Sequence, residues 1–297
     1  MGNMIYHSTK DFDLKNIEIG DVPAYTHTLM VAPEHFSIEY EINPYMNAAG
    51  EKINHAKAFE QWLSLKETYV SLGYVVHTLE GVEKFPDMVF AANQSLPFWD
   101  IANQQKSVIL SRMRHPERAG EVSYFRDFFK SQGCKIYELE NGYFEGNGDL
   151  IPLPGKNIFF AGYGFRTSSE NLENISRITN YHTLAFELKN PNFYHLDTCL
   201  SIIDQNTALY TPSAFTDAGI ELLKKFFLNL IEISEPDAIK NFTCNSHCPN
   251  GKDLITEKSN SKLFPLLEKM GLKIHPIDTS EFIKAGGSVY CMKLMCY

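Results

Sequence analysis

THTLMVAP at 26–33, the stretch from Ala56 to Leu72, YVVHTL at 74–79 and FPDMVFAAN at 85–93 set a rhythm that the rest of the chain repeats. The first and third runs are rich in β-branched and apolar residues. The stretch between them carries Phe59, Trp62, Leu63 and Tyr69 on one apolar stripe, as an amphipathic helix requires. A second unit runs SVILSRM at 107–113, a helix opened by Pro116 with glutamates near its start, CKIYEL at 134–139 and FEGNGD at 144–149. A third runs NIFFAGYG at 157–164, a helix from about Ser168, HTLAFEL at 182–188 and YHLDTCLSII at 194–203. The fourth joins ALYTPSAF at 208–215 and a helix from about Thr216 to Phe227, through a polar joint, to NFTCNSHC at 241–248. The fifth takes KDLITE at 252–257, a helix from Lys262 to Met270, KIHPI at 273–277 and KAGGSVYCMKL at 284–294. Repeated α/β units of roughly 50 to 60 residues predict a ring in which each unit buries its apolar face against its neighbours around a central funnel. A single doubly wound sheet is the other α/β architecture that this alternation allows. Residues 1–25 read as an extension laid on the surface, and 26–297 as one domain with no linker or low-complexity tract.

The composition limits what such a ring can serve. A chain of 297 residues, 44% hydrophobic and 21% charged, is ordinary for a globular protein. Its net charge of -9 opposes a nucleic-acid or anionic-membrane partner and suits a small cationic one. No run approaches the roughly 20 apolar residues that span a membrane. MGNMIYHSTK at the start lacks the apolar region of a signal peptide, so a cytoplasmic location is expected. Gly2 reads as incidental, because Tyr6 stands where a myristoylation signal has Ser or Thr. The six cysteines are too few for a disulfide scaffold and are expected to be reduced.

If each unit delivers its polar end to the same axis, Asp87, Asn93, Glu145, His195, Asp197 and Cys291 converge. Cys291 follows Gly286 and Gly287, which suits an exposed nucleophile, although a lone thiol is also a common core residue. His195 is a proton carrier by chemistry, and in an extended HLD it would share a face with Asp197. Glu145 sits beside Gly146 and Gly148 in FEGNGD, with a plain reading as a turn residue, and Asp87 and Asn93 bracket an apolar run that a buried strand between two turns would also show. These residue types suit a guanidinium. It is a planar cation with a poorly electrophilic carbon, held by carboxylates and attacked by a thiolate. Cys244, His247 and Cys248 in CNSHC invite a zinc reading, but no second ligand cluster follows, so no metal is expected.

INPYM at 42–46, FPDMVFAAN, FEGNGD, GYGFRTS at 162–168, HLDT at 195–198 and KAGGSVYC at 284–291 occur in the order of a known family. With them the chain resembles the pentein (amidinotransferase) superfamily, which includes arginine deiminases, dimethylargininases, amidinotransferases and arginine dihydrolases. The resemblance covers almost everything after the extension. It implies a five-bladed α/β propeller with Cys291 as nucleophile, His195 as general acid/base, and Glu145 and Asp197 as guanidinium contacts. Arg112 and Arg166 would meet a substrate carboxylate, Asn43 and Asp87 would touch the substrate, and CNSHC would lie in the fourth unit's strand. Where arginine deiminases place a second aspartate this chain has Asn93, resembling dihydrolases with an AAN ending. An amide can hold a neutral ureido group as well as a cation. The expected partner is thus L-arginine or a close derivative, with no cofactor, and with a homo-oligomer left open. Deiminase, dimethylargininase, amidinotransferase and a non-catalytic binding protein are the competing outcomes. Chelation of divalent metal is expected to leave ammonia release from the substrate unchanged; activity that fell with chelator and returned with metal would contradict this.

Overall fold

His27–Val31 is inaccessible to water from Thr28 to Val31, so both faces of the strand must be covered. In the computed structural model, which describes residues 4–14, 17–50 and 52–297, that cover comes from a ring. Gly2 lies outside the described residues. His27–Val31 pairs in parallel with Val75–Leu79, with His55–Ser71 as the crossover helix, and antiparallel with Leu294–Cys296 from the other end of the chain. The same antiparallel-then-parallel plan recurs. Gln105–Leu110 joins Ser95–Asp100 to Lys135–Tyr137, Ile158–Tyr163 joins Leu150–Pro152 to His182–Glu187, and Thr207–Tyr210 joins Leu200–Ile202 to Asn229–Glu232. Asp253–Glu257 and Lys273–Ile277 form a two-stranded parallel sheet. These five separate sheets replace the doubly wound alternative.

The apolar clusters show that the sheets close a ring. Leu29 and Val31 of the first unit pack with Val108, Leu110 and Phe125 of the second. Leu96 and Phe98 pack with Phe159 and Ile175 of the third, and Phe160 and Phe186 with Leu209 and Leu222 of the fourth and Leu254 and Leu267 of the fifth. Ile255 and Ile277 then return to Met30 and Trp62 of the first. The fold is a five-bladed α/β propeller whose last strand completes the first blade.

Local expectations fared unevenly. Asn54 caps His55–Ser71 by accepting from the Lys57 amide at 3.1 Å, and Ala58, Trp62, Leu65 and Tyr69 form its buried face. Phe59 and Leu63 stand exposed on the flank, because the 58, 62, 65, 69 spacing centres the stripe away from them. The helix opened by Pro116 stops at Ala119 and restarts at Val122, and this break lets Arg118 and Glu121 enter the core. NFTCNSHC is no strand. Asn229–Glu232 takes that place in the sheet, Thr243–Asn245 is a single 3-10 turn, and His247 makes one isolated bridge to Ile255. FPDMVFAAN folds as two 3-10 turns, and Leu196–Thr198 is another, so HLD is not extended throughout. From residues 1–25, Ile5–Tyr6 adds a parallel edge strand to His182–Glu187, and Phe12 is fully buried. Among the described residues no helix is long and apolar enough to cross a membrane.

The closing strand should matter to the whole ring. Leu294→Ala is expected to cost about 2–5 kcal/mol in denaturant unfolding, because Leu294 is fully buried. Leu228→Ala, at a residue 81% exposed, should stay within about 0.5 kcal/mol. Equal effects would show that the last strand does not close the ring.

Candidate active site

The nucleophile candidate sits on a turn rather than on a strand. Gly286 adopts φ +86, where a side chain would also meet the Asn43 amide oxygen and the Tyr194 hydroxyl, and the Tyr194 hydroxyl donates to the Gly286 carbonyl at 2.5 Å. Asn245 holds the rest of the turn: its Oδ1 accepts from the amides of Ser288, Tyr290 and Cys291 at 3.1, 3.1 and 3.3 Å. Its Nδ2 donates to Cys291 Sγ at 3.1 Å and to the Asp197 carbonyl at 2.9 Å. The Cys291 thiol donates to Asp197 Oδ2 at 3.2 Å, and Asp197 Oδ1 has no partner.

Two buried arginines arrange the facing wall. Arg118 donates to Glu121 through Nε at 3.1 Å and Nη2 at 2.9 Å, to the Asp87 carbonyl at 3.0 Å, and through Nη1 to Asn93 Oδ1 at 2.9 Å. A guanidinium only donates, so the atom of Asn93 facing it is the oxygen, and Nδ2 is left without a partner. Gly148 makes room for that amide group: a Cβ there would lie 2.3 Å from Asn93 Nδ2 and 3.4 Å from the His195 ring. Arg166 pairs with Glu145 at 3.1 Å, donates to the Ile42 carbonyl at 2.6 Å, and lies over the Tyr194 ring. Glu145 in turn meets His195 Nε2 at 2.7 Å.

The charges follow from these contacts. Burial pushes Glu145 upward, but Arg166 and the bond from His195 outweigh it and hold the carboxyl well below its ordinary range. Glu145 is therefore an acceptor, and Nε2 of His195 carries the proton, which leaves Nδ1 as the basic nitrogen. Burial lowers His195 to about 4, with Glu145 opposing, so the ring is neutral near pH 7. Burial raises Asp87 to about 7 against the pull of Arg118; neither of its oxygens has a donor in hydrogen-bond geometry, although the Tyr40 hydroxyl lies beside it. Asp197 is likewise raised to about 7 by burial. Burial, with the Asp197 charge adding to it, pushes the Cys291 thiol well above its usual range. The pocket residues thus place a protonated thiol among underpaired carboxyl groups. A bound cation would stabilise the ionised form of each.

Asn43, Asp87, Asn93, Arg166 and Cys291 line one pocket together with Arg118 and Tyr194. Behind it, Glu145 is bonded to Arg166 and Asp197 to Cys291 of its walls, and His195 is bonded to Glu145. Arg112 is the exception: it is exposed and lies on a separate cleft with Met113, Arg126 and Tyr143, while its backbone bridges Phe144. The strand ends at Leu110, and past it Ser111 is buried while Arg112 is exposed. Arg118, Tyr194 and Asn245 were missed by sequence reading. Arg118 sat inside the helix expected from Pro116, and Asn245 lay in the segment that invited the zinc reading. In that segment, Nδ1 of His247 instead meets the Tyr69 hydroxyl at 2.7 Å, and Cys244 lies 3.5 Å from the Thr211 hydroxyl.

Known proteins share this arrangement of chain. The chain is 34% identical over 265 residues to the N(G),N(G)-dimethylarginine dimethylaminohydrolase of Mycobacterium tuberculosis, spanning 89% of this chain and 84% of that protein. It is 33% identical over 270 residues to the bifunctional arginine dihydrolase/ornithine cyclodeaminase AgrE of Nostoc sp., spanning 90% of this chain but only 37% of that longer protein. The crystal structure of the N-terminal domain of ArgZ, an arginine dihydrolase from the ornithine-ammonia cycle in cyanobacteria, matches with a TM-score of 0.83 at 31% identity, covering 91% of this chain and 97% of that one. Residues 32–296 match the family described as N,N dimethylarginine dimethylhydrolase, eukaryotic, and the chain belongs to that family of guanidino-modifying hydrolases.

Proposed function

We propose that residues 26–297 form one cytoplasmic hydrolase domain that cleaves the guanidino group of L-arginine twice, giving ornithine, two ammonia molecules and carbon dioxide. The observation that carries this reading is the orientation of Asn93: Arg118 occupies its oxygen, and its unpartnered Nδ2 is a donor beside the pocket. A donor suits the carbonyl oxygen of a neutral ureido group, the product of a first hydrolysis, and would retain it for a second. A carboxylate there could only accept.

Asp87 and Asp197 take the guanidinium N–H groups with their unpaired oxygens, and Arg166 and Asn43 face the rest of the substrate. The arriving cation offsets the cost of ionising Cys291. The thiolate attacks the guanidinium carbon, the C–S bond forms, and the electron pair of the C=N bond moves to nitrogen. Nδ1 of His195 receives the thiol proton and passes it to the departing ammonia. The same nitrogen then takes a proton from the water that cleaves the amidino-thioether. A second thiolate attack on the ureido carbon breaks its C–NH2 bond and expels the second ammonia with a proton from His195; water then cleaves the C–S bond, returning the thiol and leaving a carbamate that separates into ornithine and carbon dioxide. The family match favours a second reading, in which an N-methylated arginine loses its methylamine and the reaction stops at citrulline.

Incubation with L-arginine and with N,N-dimethylarginine, read by mass spectrometry, separates these readings. Ornithine with about two ammonia per arginine and no urea is expected, with no turnover by Cys291→Ser, and with Asn93→Asp stopping at citrulline. Citrulline alone from the unaltered protein would overturn the role given to Asn93, and turnover confined to dimethylarginine would establish the second reading.

The pH dependence has a defined sign. Asp87 and Asp197, both raised to about 7, lose negative charge as pH falls through that value in the free protein, while His195, lowered to about 4, stays neutral. A fall in kcat/KM on the acid side of neutrality is therefore expected. A profile flat well into the acid range would show that neither carboxylate must be ionised for substrate capture.

A further inference from the structure

The substrate pocket is not the chain's only polar cavity. A second one, of about 40 Å³, shares no lining residue with it. Since about 10–15 Å³ is enough for one water, this space takes a small ion together with a water. Lys293 lines it and is 1% exposed, an unusual setting for an amine. Nζ lies 3.1 Å from the centre of the Tyr290 ring, and among the described residues it has no hydrogen-bond or ion-pair partner. One aromatic face is a poor substitute for the water that burial removes.

The walls are chemically one-sided. No aspartate or glutamate is among them, whereas His247 and Asn147 are. Nδ1 of His247 meets the Tyr69 hydroxyl at 2.7 Å. That hydroxyl has no other acceptor among the described residues, so it donates, and the ring proton sits on Nε2, which makes His247 a donor on its other side. Asn147 Nδ2 gives one hydrogen to the Leu150 carbonyl at 2.8 Å and keeps a second. An unpaired amine beside two donors, with no carboxylate, calls for a negative ligand. The space is too small for an organic anion, and one amine matches one charge.

We propose that this cavity binds one small monovalent inorganic anion, of about halide size, between Lys293, His247 and Asn147, and that the ion ties together the three units from which those residues come. Binding is linked to a proton. Burial lowers Lys293 to about 7, opposed by Asp197 from the HLDT turn and by Cys291 on its own segment. His247 is held neutral by burial and by Lys293, and burial keeps Cys248, Tyr25 and Tyr290 protonated near pH 7. The anion takes the ammonium form, so its affinity is full below neutrality and falls by up to about tenfold per pH unit above it.

Thermal unfolding at constant ionic strength, with chloride replacing gluconate, reads the site. Chloride is expected to raise Tm saturably by a few degrees at about pH 6 and much less at about pH 8.5, and bromide should act likewise. Lys293→Met and Lys293→Gln should both lose the response. A crystal of the unaltered protein grown in bromide should show an anomalous scattering peak beside Nζ, which tests the site even if a variant does not fold. A response that does not saturate or ignores pH, one that both variants keep, or bromide peaks confined to the surface would overturn the proposal.

Discussion

Arg118 and Glu121 pair at 2.9 Å with both side chains almost wholly excluded from water, and the site depends on that pair. Removing either partner would strand a charge in the core, at a cost of about 3–5 kcal/mol. The pair does more than neutralise itself. The remaining donors of Arg118 fix the carbonyls of the FPDMVFAAN turns and the oxygen of Asn93, which decides what that amide can offer to a ligand. A second pair, Arg166 with Glu145, does the same on the adjoining wall and sets the tautomer of His195. Each buried positive charge thus gives a neighbouring polar group one orientation.

The pocket residues alone leave acceptor capacity unused. Asp87 and Asp197 are buried with unused acceptor capacity, and the thiol of Cys291 is held protonated. Folding tolerates this because the protein is a closed ring whose apolar clusters join every unit to the next, so burial energy is distributed around the perimeter while the axis carries the cost. In the proposed reading, a planar cation of matching shape supplies the missing charge, and the same event makes the thiol reactive. Under that reading, substrate choice and activation of the nucleophile arise from one interaction, beside the paired guanidinium groups of Arg118 and Arg166.

Most of the ring was legible because strand and helix periods recur in every unit, and burial reinforces them: Leu29 to Val31 and Ile158 to Ala161 read as strands for the same reason that they are inaccessible. The polar ends of the units were legible as a convergent set, since Asp87, Asn93, Glu145, His195, Asp197 and Cys291 could be identified by chemistry. What could not be read was side-chain reach. Arg118 lies in a short helix that ends at Ala119 and is buried, whereas Arg112, just past the strand that ends at Leu110, is exposed on a separate cleft. Asn245 was hidden for a related reason: its role is to hold three backbone amides of a turn that lies 43 to 46 residues away, and no local pattern records that. The HLD triplet shows the converse. Its residues meet different partners through a 3-10 turn, so the shared face that an extended triplet would give His195 and Asp197 is not the one the chain adopts.

The central claim is that Cys291 forms a covalent bond to the guanidino carbon of the substrate. Rapid acid quenching during turnover of L-arginine, followed by intact-mass measurement and peptide mapping, tests it most directly. The account predicts a transient adduct carrying the amidino-derived carbon, confined to the peptide that contains Cys291 and absent from Cys291→Ser. Sustained turnover with no adduct at any quench time, or an adduct on another residue, would contradict it.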